Sequence, residues 1–321
     1  MSNLDEAIDL NRAALALCPP GHSLNNLAIN LTDRFEQQGV LSDLDEAIDL
    51  HRAALGCCPP GHSDRSMSLN NLAISLTDRF EQRGVLSDLD EAIDLHRAAL
   101  SLHPPGHSHR SRSLNNLAIS LSHRFKQRGV LSDLDDAIDL DRATLLLHPP
   151  GHSDRSTSLN NLAVSLTDRF EQQGVLSDLD EAIDLHRAAL ALCPPGHSGR
   201  SMSLNNLAIS LRNRFGQRGV LSDLDEVIDL HRAALPLHPP GHSARSKSLT
   251  NLASSLRDRF EQGGAMSDLD EAIDLHRVAL TLCPPGHSDR SKSLNNLATS
   301  LRSRFVTNSQ YEPLFIPFNT I

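Results

Sequence analysis

One phrase recurs along this chain at a fixed interval, and that interval restricts the fold more than any other feature. Leu-Asp-Glu-Ala-Ile-Asp-Leu begins at Leu4, and close variants begin at Leu44, Leu89, Leu134, Leu179, Leu224 and Leu269. After the first, every step is 45 residues. The first step is 40, because His22-Ser23-Leu24 lacks the five residues that stand as Asp64-Arg65-Ser66-Met67-Ser68 in the next copy. A period of this length means a solenoid, in which each unit packs on its neighbours, rather than two or three unlike globular domains.

Each unit carries two helical signals. Leu69, Leu72, Ala73, Leu76 and Phe80 recur at three- and four-residue steps, one apolar stripe of a first helix. Ser63 or Asp64 is placed to cap its start and Gly84 to stop it. Such a helix is roughly 30 Å long. A second helix is expected from Ser87 as N-cap, with Asp88, Asp90 and Glu91 at the favourable end of the dipole. Its apolar face is Leu89, Ala92, Ile93, Ala99 and Leu100, and Pro104-Pro105-Gly106 ends it. Aromatics supply only 3% of the residues, with no Trp, so Leu, Ala and Ile must build the core, which suits packed helices.

The period alone also fits HEAT and armadillo arrays. The small residues discriminate: Ala92, Ala99 and Pro104 reproduce the Ala-x6-Ala-x4-Pro spacing of a tetratricopeptide repeat, and Leu72-Ala73 and Leu76 stand where that repeat has Leu-Gly and Tyr. Gly61-His62-Ser63-Asp64 followed by Leu69-Asn70-Asn71-Leu72-Ala73 resembles the kinesin-light-chain type. The array also resembles fungal tandem tracts found beside CHAT protease domains. The resemblance covers residues 4 to about 305 and implies an all-α, right-handed superhelical solenoid of helical hairpins. Two departures stand out: an extra turn carrying Arg79-Phe80, and His96 where the family has an aromatic. The residues before Leu4 carry no heptad pattern, so motor binding is not expected to carry over from the resemblance.

The expected organisation is a repeat array over 1–305, with incomplete first and last units, and a non-repeat tail over 306–321. In that tail Leu314, Phe315, Ile316 and Phe318 either fold back as an end cap or mark a fragment or an altered end. Forty acidic against thirty basic side chains give −10, which argues against broad nucleic-acid binding. No apolar run is long enough to span a membrane, and with Asp5, Glu6 and Asp9 the stretch Met1 to Leu10 is not expected to be a signal peptide. Five cysteines without a signal read as reduced thiols, so the expected compartment is the cytoplasm.

Catalysis is not expected, because a catalytic constellation is unique whereas here every tempting residue recurs. The loop histidines His22, His62, His107, His152, His197, His242 and His287 read as neighbours of a helix start. Cys18, Cys58, His103, His148, Cys193, His238 and Cys283 precede Pro-Pro and are metal-ligand types. Equivalent points in adjacent units stand about 10 Å apart, too far to share one ion, so no metal or other cofactor is expected. His51, His96, His186, His231 and His276 read as interhelical packing.

The informative signal is where copies differ. Positions 67, 71, 74 and 78 form one stripe opposite the apolar one. It reads Met67, Asn71, Ile74, Asp78, then Arg112, Asn116, Ile119, His123, then Thr157, Asn161, Val164, Asp168. It continues Met202, Asn206, Ile209, Asn213, then Lys247, Asn251, Ser254, Asp258, and ends Lys292, Asn296, Thr299, Ser303. By resemblance first helices line a concave groove, so this stripe faces a ligand. Asn71, Asn116, Asn161, Asn206, Asn251 and Asn296 are expected to clamp an extended peptide backbone, since a carboxamide both donates and accepts. Met67, Arg112, Met202, Lys247 and Lys292 would select among peptides. Arg212, Arg257 and Arg302 make the C-terminal part basic and favour an acidic segment. The expected function is therefore a protein or peptide scaffold of unknown oligomeric state. The alternative is a regulatory or sensor part of a larger signalling or CHAT-protease-type protein.

Overall fold

The computed structural model describes residues 3–17 and 21–311, and among them every regular element is helical. The first helices of the repeats are α2 (Gly21–Gln38), α4 (Arg65–Arg83), α6 (Arg110–Arg128), α8 (Arg155–Gln173), α10 (Arg200–Arg218), α12 (Arg245–Gly263) and α14 (Arg290–Tyr311). The second helices are α1 (Asn3–Leu17), α3 (Leu41–Gly56), α5 (Leu86–Ser101), α7 (Leu131–Leu147), α9 (Leu176–Ala191), α11 (Leu221–Ala234) and α13 (Met266–Thr281). The chain divides into two compact units, Met1–Arg169 and Phe170–Ile321, each a succession of helical hairpins. The all-α hairpin architecture is as expected. Helix α14 continues past Phe305, the expected end of the array. Leu314, Phe315, Ile316 and Phe318 lie outside the described residues, as does Cys18.

The apolar stripe of the first helix is the core. Leu69, Leu72, Ala73, Leu76 and Phe80 are all buried, and so are Leu89, Ala92, Ile93 and Ala99 of the second. In the first unit one cluster joins Phe80 of α4, Leu89 and Ile93 of α5, Leu117 and Leu121 of α6 and Ala137 of α7. Four consecutive helices thus share one core, so no hairpin buries its face alone. Each such leucine contributes roughly 1.5–3 kcal/mol relative to an exposed one. Ala73 and Ala92 have no exposed surface, and their small size is what lets the helices approach.

Helix ends correct two expectations. Gly84 does stop α4: it sits at φ 69°, a left-handed conformation costly for other residues, and donates its N–H to Phe80 O at 2.7 Å. The start of α4 has no side-chain cap from Ser63 or Asp64, although Asp64 occupies the capping position. Ser87 does not cap α5 either, because the cap residue is Val85, in extended conformation, and Ser87 lies inside the helix.

An arginine carried by the extra turn instead anchors the start of each second helix through a first-turn aspartate. In the first unit Arg79 places Nε and Nη2 on the two carboxylate oxygens of Asp88, at 2.7 and 2.9 Å. Its Nη1 reaches Asp45 of the preceding repeat at 3.3 Å. Arg124 repeats the fork on Asp133 at 2.7 and 2.8 Å and reaches back to Asp90 at 3.3 Å. In the second unit Arg214 holds Asp223, and Arg259 holds Asp268 and Asp225. Each buried aspartate is a first-turn residue of a second helix, so one side chain ties three helices and supplies cationic donors to a carboxylate at a helix N-terminus.

Candidate functional site

The turns between repeats explain the recurring His and Cys. The residue before Pro-Pro meets a serine on the next first helix in every described copy. His103, His148 and His238 bring Nδ1 to Ser113, Ser158 and Ser248 at 2.8, 2.6 and 2.6 Å. Cys58, Cys193 and Cys283 bring Sγ to Ser68, Ser203 and Ser293 at 3.6, 3.7 and 3.7 Å. Thiol and imidazole alternate because either satisfies the same hydroxyl. Burial lowers the His148 pKa, as does His152, while Asp154 opposes them.

The loop histidine has its own structural task. His62 Nδ1 accepts the N–H of Asp64 at 3.1 Å, and the same bond recurs from His109 to His107, Asp154 to His152, Gly199 to His197, Ala244 to His242 and Asp289 to His287. An imidazole two residues back therefore replaces the side-chain cap. Since only a backbone N–H is used, the residue donating it is free to be Asp, His, Gly or Ala.

The second-helix histidines are buried as expected, but they are not inert filler. His51 donates through Nδ1 to Asn25 Oδ1 at 3.1 Å. Burial drives the pKa of His51, His96, His186, His231 and His276 down to about 4. In one repeat the slot holds Asp141, 4% exposed, which receives a hydrogen bond from Ser165 at 2.8 Å. Its pKa is pushed up to about 6 by burial, with Ser165 opposing. A carboxyl whose folded pKa exceeds its unfolded 3.8 destabilises the fold at pH 7, and that penalty is relieved as pH falls through 6. Asp141→His should therefore stabilise the protein by about 1–3 kcal/mol at pH 7, with a smaller gain at pH 5. Urea midpoints of the two proteins at both pH values check this; equal midpoints at pH 7 would mean the carboxyl carries no penalty.

The stripe on the first helices divides into two kinds of position. In four repeats the second asparagine of the pair braces the neighbouring repeat. Asn71, Asn116, Asn161 and Asn251 donate through Nδ2 to Asn25, Asn70, Asn115 and Asn205 at 3.0, 2.8, 2.7 and 3.1 Å. Asn206 and Asn296 are half-buried, and Asn296 follows the one repeat in which the accepting position is Thr250. One N–H of each bracing carboxamide is used. Asn71, Asn116, Asn161 and Asn251 are each half-buried, and a carboxamide has a further N–H and an oxygen beyond the bond it makes here. The positions of Asp78 also turn to neighbours: His123 to Glu81 at 3.5 Å, Asn213 to Glu171 at 2.8 Å. Asp78 itself is raised to about 7 by burial and by Glu81 and Glu36.

Most of the remaining positions are exposed, although Val164 and Ser254 are half-buried. Met67, Ile74 and Ile119 are about 40% exposed, and Met202 and Ile209 slightly more. Arg112, Thr157, Lys247 and Lys292 are exposed too. The expected basic face is weaker than its residue count. Arg212 and Arg257 both converge on Asp258, at 2.6 and 3.4 Å, and Arg257 also meets Glu261. Their charge is spent within the protein, because each fork finds a carboxylate one repeat or one turn away. Lys247, Lys292 and Arg302 remain exposed. Shallow clefts recur beside this stripe; one of about 310 Å³ is lined by Met202, Asn205, His238, Lys247 and Asn251. No described helix is long and apolar enough to cross a membrane.

A tetratricopeptide repeat family model matches residues 21–64, 65–109, 155–197 and 246–289, more than half of the chain. No curated protein matches. Among solved structures, the C-terminal part of a TPR repeat-containing protein from Cytophaga hutchinsonii has a TM-score of 0.53 at 12% identity, covering 92% of this chain and 95% of that one. BtubC (BKLC) from P. vanneervenii has a TM-score of 0.51 at 18% identity, covering 78% and 94%. The nearly identical TPR-like repeats of a putative kinesin light chain from Podosopora anserina have a TM-score of 0.48 at 19% identity, covering 67% and 96%. At these identities the first two likenesses establish a shared fold.

Proposed function

The chain belongs to the tetratricopeptide repeat family, and on that premise we propose that it is a protein–protein interaction scaffold that holds an extended segment of a partner along the first-helix stripe. The observation that carries this reading is the split in that stripe. Its asparagines and several Asp78-type positions turn to neighbouring repeats, whereas Met67, Ile74, Arg112, Ile119, Met202, Ile209, Lys247 and Lys292 are exposed, at two positions whose residue type varies among otherwise near-identical copies. Exposed apolar side chains in rows favour a binding surface over bare solvent. The spare N–H and oxygen of each bracing asparagine match the acceptor and donor of a peptide unit. The variable residues would set which peptide binds. Lys247, Lys292 and Arg302 would favour acidic residues near the C-terminal repeats, with Arg212 and Arg257 contributing little beyond Asp258.

The asparagines are poor test positions, because Asn71→Ala also removes the bond that ties α4 to Asn25 of the preceding repeat. The exposed stripe is a cleaner target. The variant Met67→Asp, Ile74→Asp, Ile119→Asp should keep its helicity and lie within about 0.5 kcal/mol of the parent per site. It should lose at least tenfold in affinity for peptides selected by the parent from an immobilised library. If the variant retains every selected peptide at parental affinity, the stripe is not the binding face.

A further inference from the structure

The turn between α7 and α8 gathers three metal-ligating side chains that the spacing of the repeats could not reveal, because all three come from one turn. One potential ligand atom each from His148, His152 and Asp154 lies within 4.8 Å of the other two. The rings of His148 and His152 stack with centroids 4.2 Å apart. His148 is only 7% exposed, and the 2.6 Å bond of its Nδ1 to Ser158 Oγ fixes the ring and leaves Nε2 as the coordinating nitrogen. Orientation of an imidazole ligand by a hydrogen bond at its other nitrogen is the usual support of a metal site. His152 and Asp154 are exposed, so an ion has an entry path.

We propose that this turn binds a divalent transition-metal ion of the zinc class, through His148, His152 and Asp154, with water in the fourth position. Two nitrogens and one carboxylate suit zinc and its neighbours better than magnesium or calcium, which prefer all-oxygen sets. Arg112 lines the same cleft. A cation held by charge alone would be repelled there, so the ligand bonds must supply the affinity. Without the ion His152 Nδ1 accepts the Asp154 N–H at 3.1 Å, which leaves the proton on Nε2. Coordination through Nε2 moves that proton to Nδ1 and exchanges the backbone bond for the metal bond. Ser153 donates to Asp154 Oδ1 at 3.3 Å and leaves the other carboxylate oxygen to the ion.

The repeats themselves show which variants fold. The turns with Gly199 and Ala244 keep the same backbone bond to histidine at 3.0 and 3.1 Å without any carboxylate, so Asp154→Ala preserves the turn. His152→Asn keeps an acceptor near Nδ1 and removes Nε2. Calorimetric titration of the full chain with zinc chloride, and absorption spectra with cobalt(II), should show one ion per chain at micromolar affinity in a tetrahedral field. Asp154→Ala and His152→Asn should each weaken binding more than tenfold, and Ser158→Ala about 10–100-fold. His197→Asn, in a turn with no third ligand, should bind as the parent does. Absence of binding at 100-fold molar excess overturns the site, and so does parental affinity in either ligand variant.

Discussion

Moving from pH 7 to pH 5 is expected to cost about 2 kcal/mol of folding stability for every buried second-helix histidine, and to open the Phe170–Ile321 unit before the Met1–Arg169 unit. The folded pKa of these imidazoles is about 4, below the unfolded 6.5. Between those values the unfolded chain binds the proton and the folded chain does not, so stability falls with pH from 6.5 and levels off near 4. Burial is the leading cause at all five; Arg212 adds to it at His231 and Arg257 at His276. The first unit holds two of them, His51 and His96, and the second holds three, His186, His231 and His276. The first unit also holds the two raised carboxyls, Asp78 and Asp141, whose penalties are relieved over the same range. The smaller downward shifts at His103, His123 and His148 in the first unit and at His238 in the second work in the same direction as the five. Hydrogen exchange at pH 7, 6 and 5 reads the two units separately. Protection should fall first in α9 to α13. Simultaneous loss in both units, or none above pH 4.5, would show that the histidines do not set the acid response.

Those histidines illustrate where the sequence was legible and where it was not. The period, the helix pairs and the apolar stripes follow from spacing, because a helix converts spacing directly into a face. Leu72, Leu76 and Phe80 needed nothing further. What His96 does depends on the desolvation of a closed interface, which only packing creates. The asparagine row was legible as a row, but its partner was not. Asn116 and Asn70 are 46 residues apart, and a peptide and a neighbouring repeat offer a carboxamide the same chemistry. The stop at Gly84 was readable because positive φ selects glycine. The start of α4 is not legible from spacing, because an imidazole two residues back accepts the N–H at the cap where a serine or aspartate side chain is expected to act. The arginine clamp has a signal in the sequence: Arg79 and Asp88, Arg124 and Asp133, and their counterparts always stand nine residues apart. The cluster at His148 was hidden for the opposite reason. Distances between repeats exclude a shared ion, but the ligands within one turn are not bound by that distance.

Removing one clamp arginine should damage the array more than removing any surface ion pair. Arg124 is the clearest case, with its side chain 19% exposed and that of its partner Asp133 only 5%. The pair stabilises modestly while intact, because desolvation offsets much of the Coulomb attraction. Arg124→Ala leaves a buried carboxylate with no counter-charge, and the expected loss is about 3 kcal/mol. Arg128 is the internal comparison: it meets Asp90 at 2.8 Å on the same face, but both partners are nearly 40% exposed. Arg128→Ala should cost less than about 1 kcal/mol. The double variant Arg124→Leu, Asp133→Leu should recover most of the loss, because no charge is then stranded. Guanidinium melts of the four proteins give these differences directly. Losses at Arg124 and Arg128 of equal size would mean the fork is only a surface pair. Because Arg124 also reaches Asp90 on α5, its removal loosens contacts to the preceding repeat as well as its own second helix. In a chain whose repeats touch only neighbours, such a lesion is local. Exchange should therefore rise at the starts of α5 and α7 while α12 and α13 keep their protection. A uniform rise along the chain would instead mean that the repeats unfold as one cooperative body.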